Sequence, residues 1–122
     1  LEEVSTAIRG AGGEAQSFAC DVARRDEVFA TAEAVRGRFG RVDVLVNNAG
    51  YGRHCRFADW DLDDVERMMQ VNFLGSVYWT KAVLPWMTEQ RQGWIVFMAS
   101  VAGRIGVPDE SAYVASKFAM VG

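Results

Sequence analysis

The amino-acid sequence predicts an α/β protein, a parallel sheet with helices on both faces, and three observations carry that expectation. Short β-branched apolar runs recur along the chain, stretches with helical apolar spacing separate them, and glycine or small polar residues stand where the runs stop. Strands and helices in alternation make βαβ units, whose crossovers are right-handed and whose sheet is parallel. In such sheets ligands bind beyond the carboxyl ends of the strands, so the loops after each strand are where chemistry is sought.

Leu1 to Gly10 reads as the end of a helix, with Val4, Ala7 and Ile8 on one stripe and Gly10, Gly12 and Gly13 as its stop. Gly10 to Ala15 also fits a G-x-G-x-x-A spacing. It follows a helix and precedes a strand, however, the reverse of the order a phosphate-binding turn needs, so it is read as the stop alone. Glu14 to Val22 alternates toward a strand through Ala15, Phe18 and Cys20. The next helix carries Val28, Ala32, Val35 and Phe39 on its stripe and ends at Gly40. Val42 to Val46 leads into Asn47-Asn48-Ala49-Gly50 and has the composition of a strand buried on both faces. After a polar loop from Tyr51 to Asp59, Asp61 opens a long helix, and Asp64 completes an acidic variant of a capping box. Its stripe is Val65, Met69, Asn72, Phe73, Ser76, Thr80, Val83 and Met87, and Pro85 with the Gln90 to Gly93 turn closes it. Met68, Met69, Trp79 and Trp86, at helical spacing, are expected in the core or a subunit interface rather than in a cofactor box. Trp94 to Ala99 forms a third strand ending at Ser100, and Glu110 to Gly122 opens a last helix.

A length of 122 residues suits one domain, and half of the residues are apolar, as in a globular protein. Thirteen basic against sixteen acidic side chains leave a net charge of −3, which gives no footprint for nucleic acid. Cys20 and Cys55 stand far apart with no further Cys or His at ligand spacing, so no metal site is expected. The same usage points to a reducing compartment, the cytoplasm. The longest apolar run, Trp94 to Ala99, falls short of the ~18 residues of a membrane span. Leu1 stands where an initiator Met is absent, so the true N-terminus is expected upstream.

The chemistry concentrates at the strand ends. Tyr113 and Lys117 are four residues apart in the last helix, so their side chains are neighbours on one face. A free phenol exchanges its proton poorly at neutral pH; an ammonium fixed about 4 Å away favours the phenolate by ~4 kcal/mol at an effective dielectric of about 20. A hydroxyl such as that of Ser100 could hold a carbonyl oxygen in line with the phenol. Asn72 sits on an apolar stripe, where an amide needs a polar partner such as a water.

These residues together resemble the short-chain dehydrogenase/reductase family of Rossmann-fold enzymes. Asn47-Asn48-Ala49-Gly50 matches the family's strand-end motif, and Ser100, twelve intervening residues, Tyr113, three more and Lys117 match its catalytic spacing. Asn72 falls at its fourth catalytic position, and Asp21-Val22 at the pair that contacts adenine. The resemblance implies a Rossmann-like, doubly wound parallel sheet truncated at both ends. The 122 residues then form the central part of one NAD(P)-binding domain, lacking the first strand, the glycine-rich loop, the second strand and the C-terminal part. It further implies an oxidoreductase that uses NAD or NADP to interconvert a carbonyl and a secondary alcohol on a small molecule, as a homodimer or homotetramer. Tyr113 would be the general acid and base, and Lys117 would support it and bind the nicotinamide ribose. Ser100 would orient the carbonyl, and Asn72 would hold a relay water. Asp21 and Val22 would bind adenine, while Asn47, Asn48, Ala49 and Gly50 would line the ribose region.

Blander readings stand beside these. Tyr113 and Lys117 could be an ordinary helix pair, Ser100 a turn cap, and Asp21 the N-cap of the following helix. Asn72 could satisfy itself on nearby backbone. His54, in a polar loop, is given no catalytic role. The alternative function is a non-catalytic fragment or scaffold relative that keeps the fold without cofactor turnover.

Overall fold

The computed structural model describes residues 2–122, so the expected place of Leu1 in the first helix lies outside the described residues. Helix α1 (Glu2–Gly10) ends as its glycines dictate: Gly12 takes a left-handed φ of 85°, and the Gly13 N–H donates to the Ile8 carbonyl at 3.0 Å. The Gly10 to Ala15 stretch is therefore a helix stop.

Glu14 to Val22 departs from expectation, since it forms no strand. A strand exists only where a neighbour takes its backbone groups, and no described residues supply one here. Local contacts hold the segment instead: the Arg9 guanidinium donates to the Ala15 carbonyl at 2.9 Å, Ser5 bonds Ser17, and Glu14 pairs with Arg38. Helix α2 (Arg25–Phe39) begins after Arg24, with no side-chain cap, and closes at Gly40, whose φ of 78° lets its N–H reach the Arg36 carbonyl. Asp21 is thus not the N-cap.

The sheet has two parallel strands, β1 (Val44–Asn47) and β2 (Trp94–Phe97), with Val44 opposite Trp94 and Asn47 opposite Phe97. The crossover between them is helical. Asp61 caps α3 (Leu62–Met69) by accepting from the Asp63 N–H at 2.9 Å. The reciprocal half of the expected capping box is missing, because Asp64 pairs with Arg53 instead. After a π-helical turn at Gln70–Leu74, α4 (Gly75–Gln90) runs straight through Pro85. Pro85 does not close the helix: its ring lies on the exposed side, and the stop falls at Arg91, with φ 54°. Helix α5 (Ser111–Val121) follows a single 3-10 turn at Val101–Gly103.

Side chains alternate across the strands, as a pleated backbone requires. Leu45 and Ile95 pack on a core of Ala32, Ala82, Val83, Trp86 and Met87 from α2 and α4, with Trp79 beside it. Val44, Val46, Trp94 and Val96 point the other way and are exposed. Both strands were expected to be buried on two faces; among the described residues helices cover one face only, so the alternate side chains of β1 and β2 stay open. Met68 of α3 and Val28 of α2 are also fully buried.

Candidate active site

Parallel strands end on the same side of a sheet, so the loops after β1 and β2 meet there. The first turns of α5 lie against both. Together they enclose a cleft of about 600 Å³ lined by Asn48, Gly50, Tyr51, Met98, Tyr113 and Lys117, with Arg53, His54 and Glu110 at its outer part.

Lys117 is the most constrained group of the site. Its side chain is buried, its Nζ donates to the Met98 carbonyl at 2.7 Å, and it lies 5.6 Å from the centre of the Tyr113 ring. Met120 Sδ stands 3.5 Å away. The i, i+4 spacing thus places the ammonium beside the phenol, and the end of β2 anchors it.

Asn72 is fully buried and satisfies itself across the fold rather than on its own helix. Its Nδ2 donates to the Tyr51 carbonyl at 2.8 Å and to Ser116 Oγ at 3.0 Å, while its Oδ1 accepts from the Tyr51 N–H at 3.0 Å. The amide clasps the backbone of the loop after β1. The π-helical turn at Gln70–Leu74 lies at this residue; such wide turns leave backbone groups free, and here Ser76 donates to the Asn72 carbonyl at 3.3 Å. Gly50 lies tight against the clasp, since a Cβ there would stand 3.1 Å from Asn72 Oδ1 and push it aside by a few tenths of an ångström. At Gly52 a Cβ would lie 3.2 Å from the Tyr113 ring.

Ser100 is held differently. Its Oγ accepts from the Ala102 N–H at 3.2 Å and caps the 3-10 turn, while its chain neighbour Ala99 lines the cleft. The structure therefore links Asn72 to Tyr113 through Ser116 and sets Lys117 beside the Tyr113 ring, while Ser100 is not among the residues that line the cleft. Asn47 turns away toward α4, donating to Thr80 Oγ1 at 3.2 Å. His54 stands 3.7 Å from both Asp109 and Glu110, beyond hydrogen-bond reach.

A second hollow of about 210 Å³ lies beside Val22, Asn48, Ala49, Val71 and Gly75. Gly75 makes room for it to be built, because a Cβ there would approach the Val22 carbonyl to 3.0 Å. Asp21 closes a tight turn: its Oδ1 accepts from the Ala23 N–H at 3.1 Å and its carbonyl from the Arg24 N–H at 2.9 Å. The Ala23 N–H bond, then the Arg67 guanidinium at 2.9 Å, hold the Asp21 carboxyl below its ordinary range.

Sequence reasoning missed Ser116, Arg67 and Gly75. Ser116 is fully buried and relays Asn72 to α5 by donating to the Tyr113 carbonyl at 2.7 Å. Its only signal was position, three residues after Tyr113 and one before Lys117.

Comparison with known proteins decides the family. The family model for short chain dehydrogenases matches residues 1–122, the whole chain. The chain belongs to the short-chain dehydrogenase/reductase family. It is 38% identical over its full length to human (Homo sapiens) estradiol 17-beta-dehydrogenase 11, of which it spans 41%. Among solved structures, a metagenomic short-chain oxidoreductase in complex with NADP superposes with a TM-score of 0.95 at 36% identity, covering 99% of this chain and 55% of that one. An NAD+-bound xylitol dehydrogenase gives a TM-score of 0.94 at 39% identity, over 99% of this chain and 47% of the other. The α/β fold with its parallel sheet is thus that of Rossmann short-chain dehydrogenases. Among the described residues no helix is long and apolar enough to cross a membrane, and no group of three or more His, Cys, Asp or Glu is placed to hold a metal.

Proposed function

We propose that these 122 residues are the central part of a single NAD(P)-binding Rossmann domain, and that the whole protein uses NAD or NADP to interconvert a carbonyl and a secondary alcohol. The observation that supports this best is the buried Lys117 ammonium 5.6 Å from the Tyr113 ring, at the carboxyl ends of both strands. The residues present fit such a cofactor. Lys117 has three N–H donors; the Met98 carbonyl takes one and Met120 sulfur faces another, which leaves one for a ribose hydroxyl. Asn48, Ala49 and Gly50 line the path between the two hollows, and Val22 borders the one suited to adenine.

When bound, the nicotinamide supplies or takes the hydride. In reduction the Tyr113 hydroxyl donates its proton to the carbonyl oxygen, and the Lys117 ammonium stabilises the negative charge left on the phenol. Ser100 orients that same oxygen: its Oγ accepts from Ala102, so its own proton remains free to donate. Both N–H groups of Asn72 are taken, so a relay water there binds to the second lone pair of Oδ1 or to the main-chain carbonyl. The free cysteines Cys20 and Cys55 support a cytoplasmic setting. A homodimer or homotetramer is part of the same reading, supported by the exposed Val77, Leu84, Phe118 and Val121 of α4 and α5.

The test is to express the complete open reading frame that carries this chain and follow nicotinamide absorbance with a panel of carbonyl compounds. Tyr113→Phe is expected to lower turnover about 10²- to 10⁴-fold while NAD(P)H affinity stays near that of the parent. Retained turnover rejects the proton-donor role, and failure of the parent to bind either dinucleotide favours a scaffold relative.

A further inference from the structure

We propose that Arg67 is a positioning residue for base recognition, aiming Asp21 at the exocyclic amine of the dinucleotide's adenine. The inference rests on the reading above that Asp21 contacts adenine, and it adds a residue from a distant helix together with a chemical criterion for the base.

Counting acceptor sites carries the argument. A carboxylate oxygen accepts about two hydrogen bonds. Oδ1 of Asp21 receives the Ala23 N–H at 3.1 Å and Arg67 Nη2 at 3.0 Å, so it is full. Oδ2 receives only Arg67 Nη2, at 2.9 Å, and keeps one site open. The same nitrogen straddles both oxygens, which fixes the rotation of the carboxylate and hence the direction of that open site. The turn itself cannot swing: the Asp21 N–H donates to Glu27 Oε2 at 2.9 Å, and Glu27 Oε1 is paired with Arg24 Nε at 2.8 Å. Val71, one helical turn beyond Arg67, and Val22, next to Asp21, border the 210 Å³ hollow. Asp21 is not itself part of that hollow's lining but adjoins it through Val22, and an ionised acceptor in that position favours a flat base with an amino group over one with a carbonyl oxygen at that edge.

The purine discrimination reads this directly. In the full-length protein, titration with NADH or NADPH, whichever binds more tightly, is compared with titration by its hypoxanthine analogue, which carries oxygen in place of the amine. The parent is expected to favour adenine about tenfold or more, since a hydrogen bond to a charged group is among the stronger kinds. Arg67→Ala should narrow the ratio to about threefold or less, and Arg67→Lys, which keeps a cation able to bridge both oxygens, should restore part of it. A general loosening of the fold would weaken both nucleotides alike and leave the ratio unchanged. If Arg67→Ala keeps the parent's ratio while Asp21→Ala abolishes it, the positioning role is overturned and adenine contact by Asp21 stands. If Asp21→Ala also keeps the ratio, both fall.

Discussion

Ser116 has no ionisable group and no contact with solvent, yet two of the candidate site residues meet at its hydroxyl. It accepts from Asn72 and donates to the carbonyl of Tyr113, and its chain neighbour is Lys117. Ser116→Ala leaves a buried amide N–H of Asn72 without an acceptor, which costs about 1–3 kcal/mol and lowers the denaturant midpoint accordingly. Asp21 gives a pH-dependent counterpart. Its folded-state value is lowered from the ordinary 3.8, first by the Ala23 N–H and then by Arg67, so it adds stability that is present above that value and lost as pH falls through the lower one. The stability difference between the parent and Arg67→Ala is therefore expected to be constant near neutrality and to shrink below pH ~4, as chemical denaturation across pH will show. The residues proposed to do chemistry were legible in the sequence because such roles demand particular side chains at particular spacings, as with Tyr113 and Lys117. Ser116 and Arg67 bond partners 44 and 46 positions away, and no local pattern announces such a pairing.

At the scale of elements, the long crossover shows where pattern reading succeeds and where backbone accommodation defeats it. Asp61 started α3 as its side chain predicted, and Val83 and Met87 reached the core as their spacing predicted. Pro85 did not end α4. Proline removes one helical hydrogen bond and crowds the preceding turn, and an exposed position lets the helix absorb this. Pro85→Ala should return that bond and raise stability by about 1–2 kcal/mol, after the greater freedom of the unfolded chain is offset, and a thermal melt will measure it. The expected strand at Glu14 to Val22 failed for another reason: alternation describes a surface suited to pairing, and pairing itself requires a neighbour.

For the whole molecule, the decisive feature is the asymmetry of the sheet. One face meets α2 and α4; the other presents Val44, Val46, Trp94 and Val96 to solvent, with Trp94 71% exposed. Contiguous apolar surface of this kind drives association. Expressed by itself, the 122-residue stretch is expected to self-associate and to bind a hydrophobic dye, and Val46→Thr with Trp94→Thr should reduce both, as light scattering and dye fluorescence will report. The fold class was legible because helix and strand periods differ so clearly; which sheet face is covered depends on residues that periodicity does not name.

The clasp of Asn72 on Tyr51 also bears on motion. A loop amide ordinarily trades its hydrogen with water within moments, because nothing holds it closed. The Tyr51 N–H is instead bound by a buried side chain 21 positions away, that of Asn72 on the π-helical turn. Its deuterium uptake should therefore keep time with the opening of that helix rather than with the loop, which makes the floor of the cleft a slow-exchanging part of the protein.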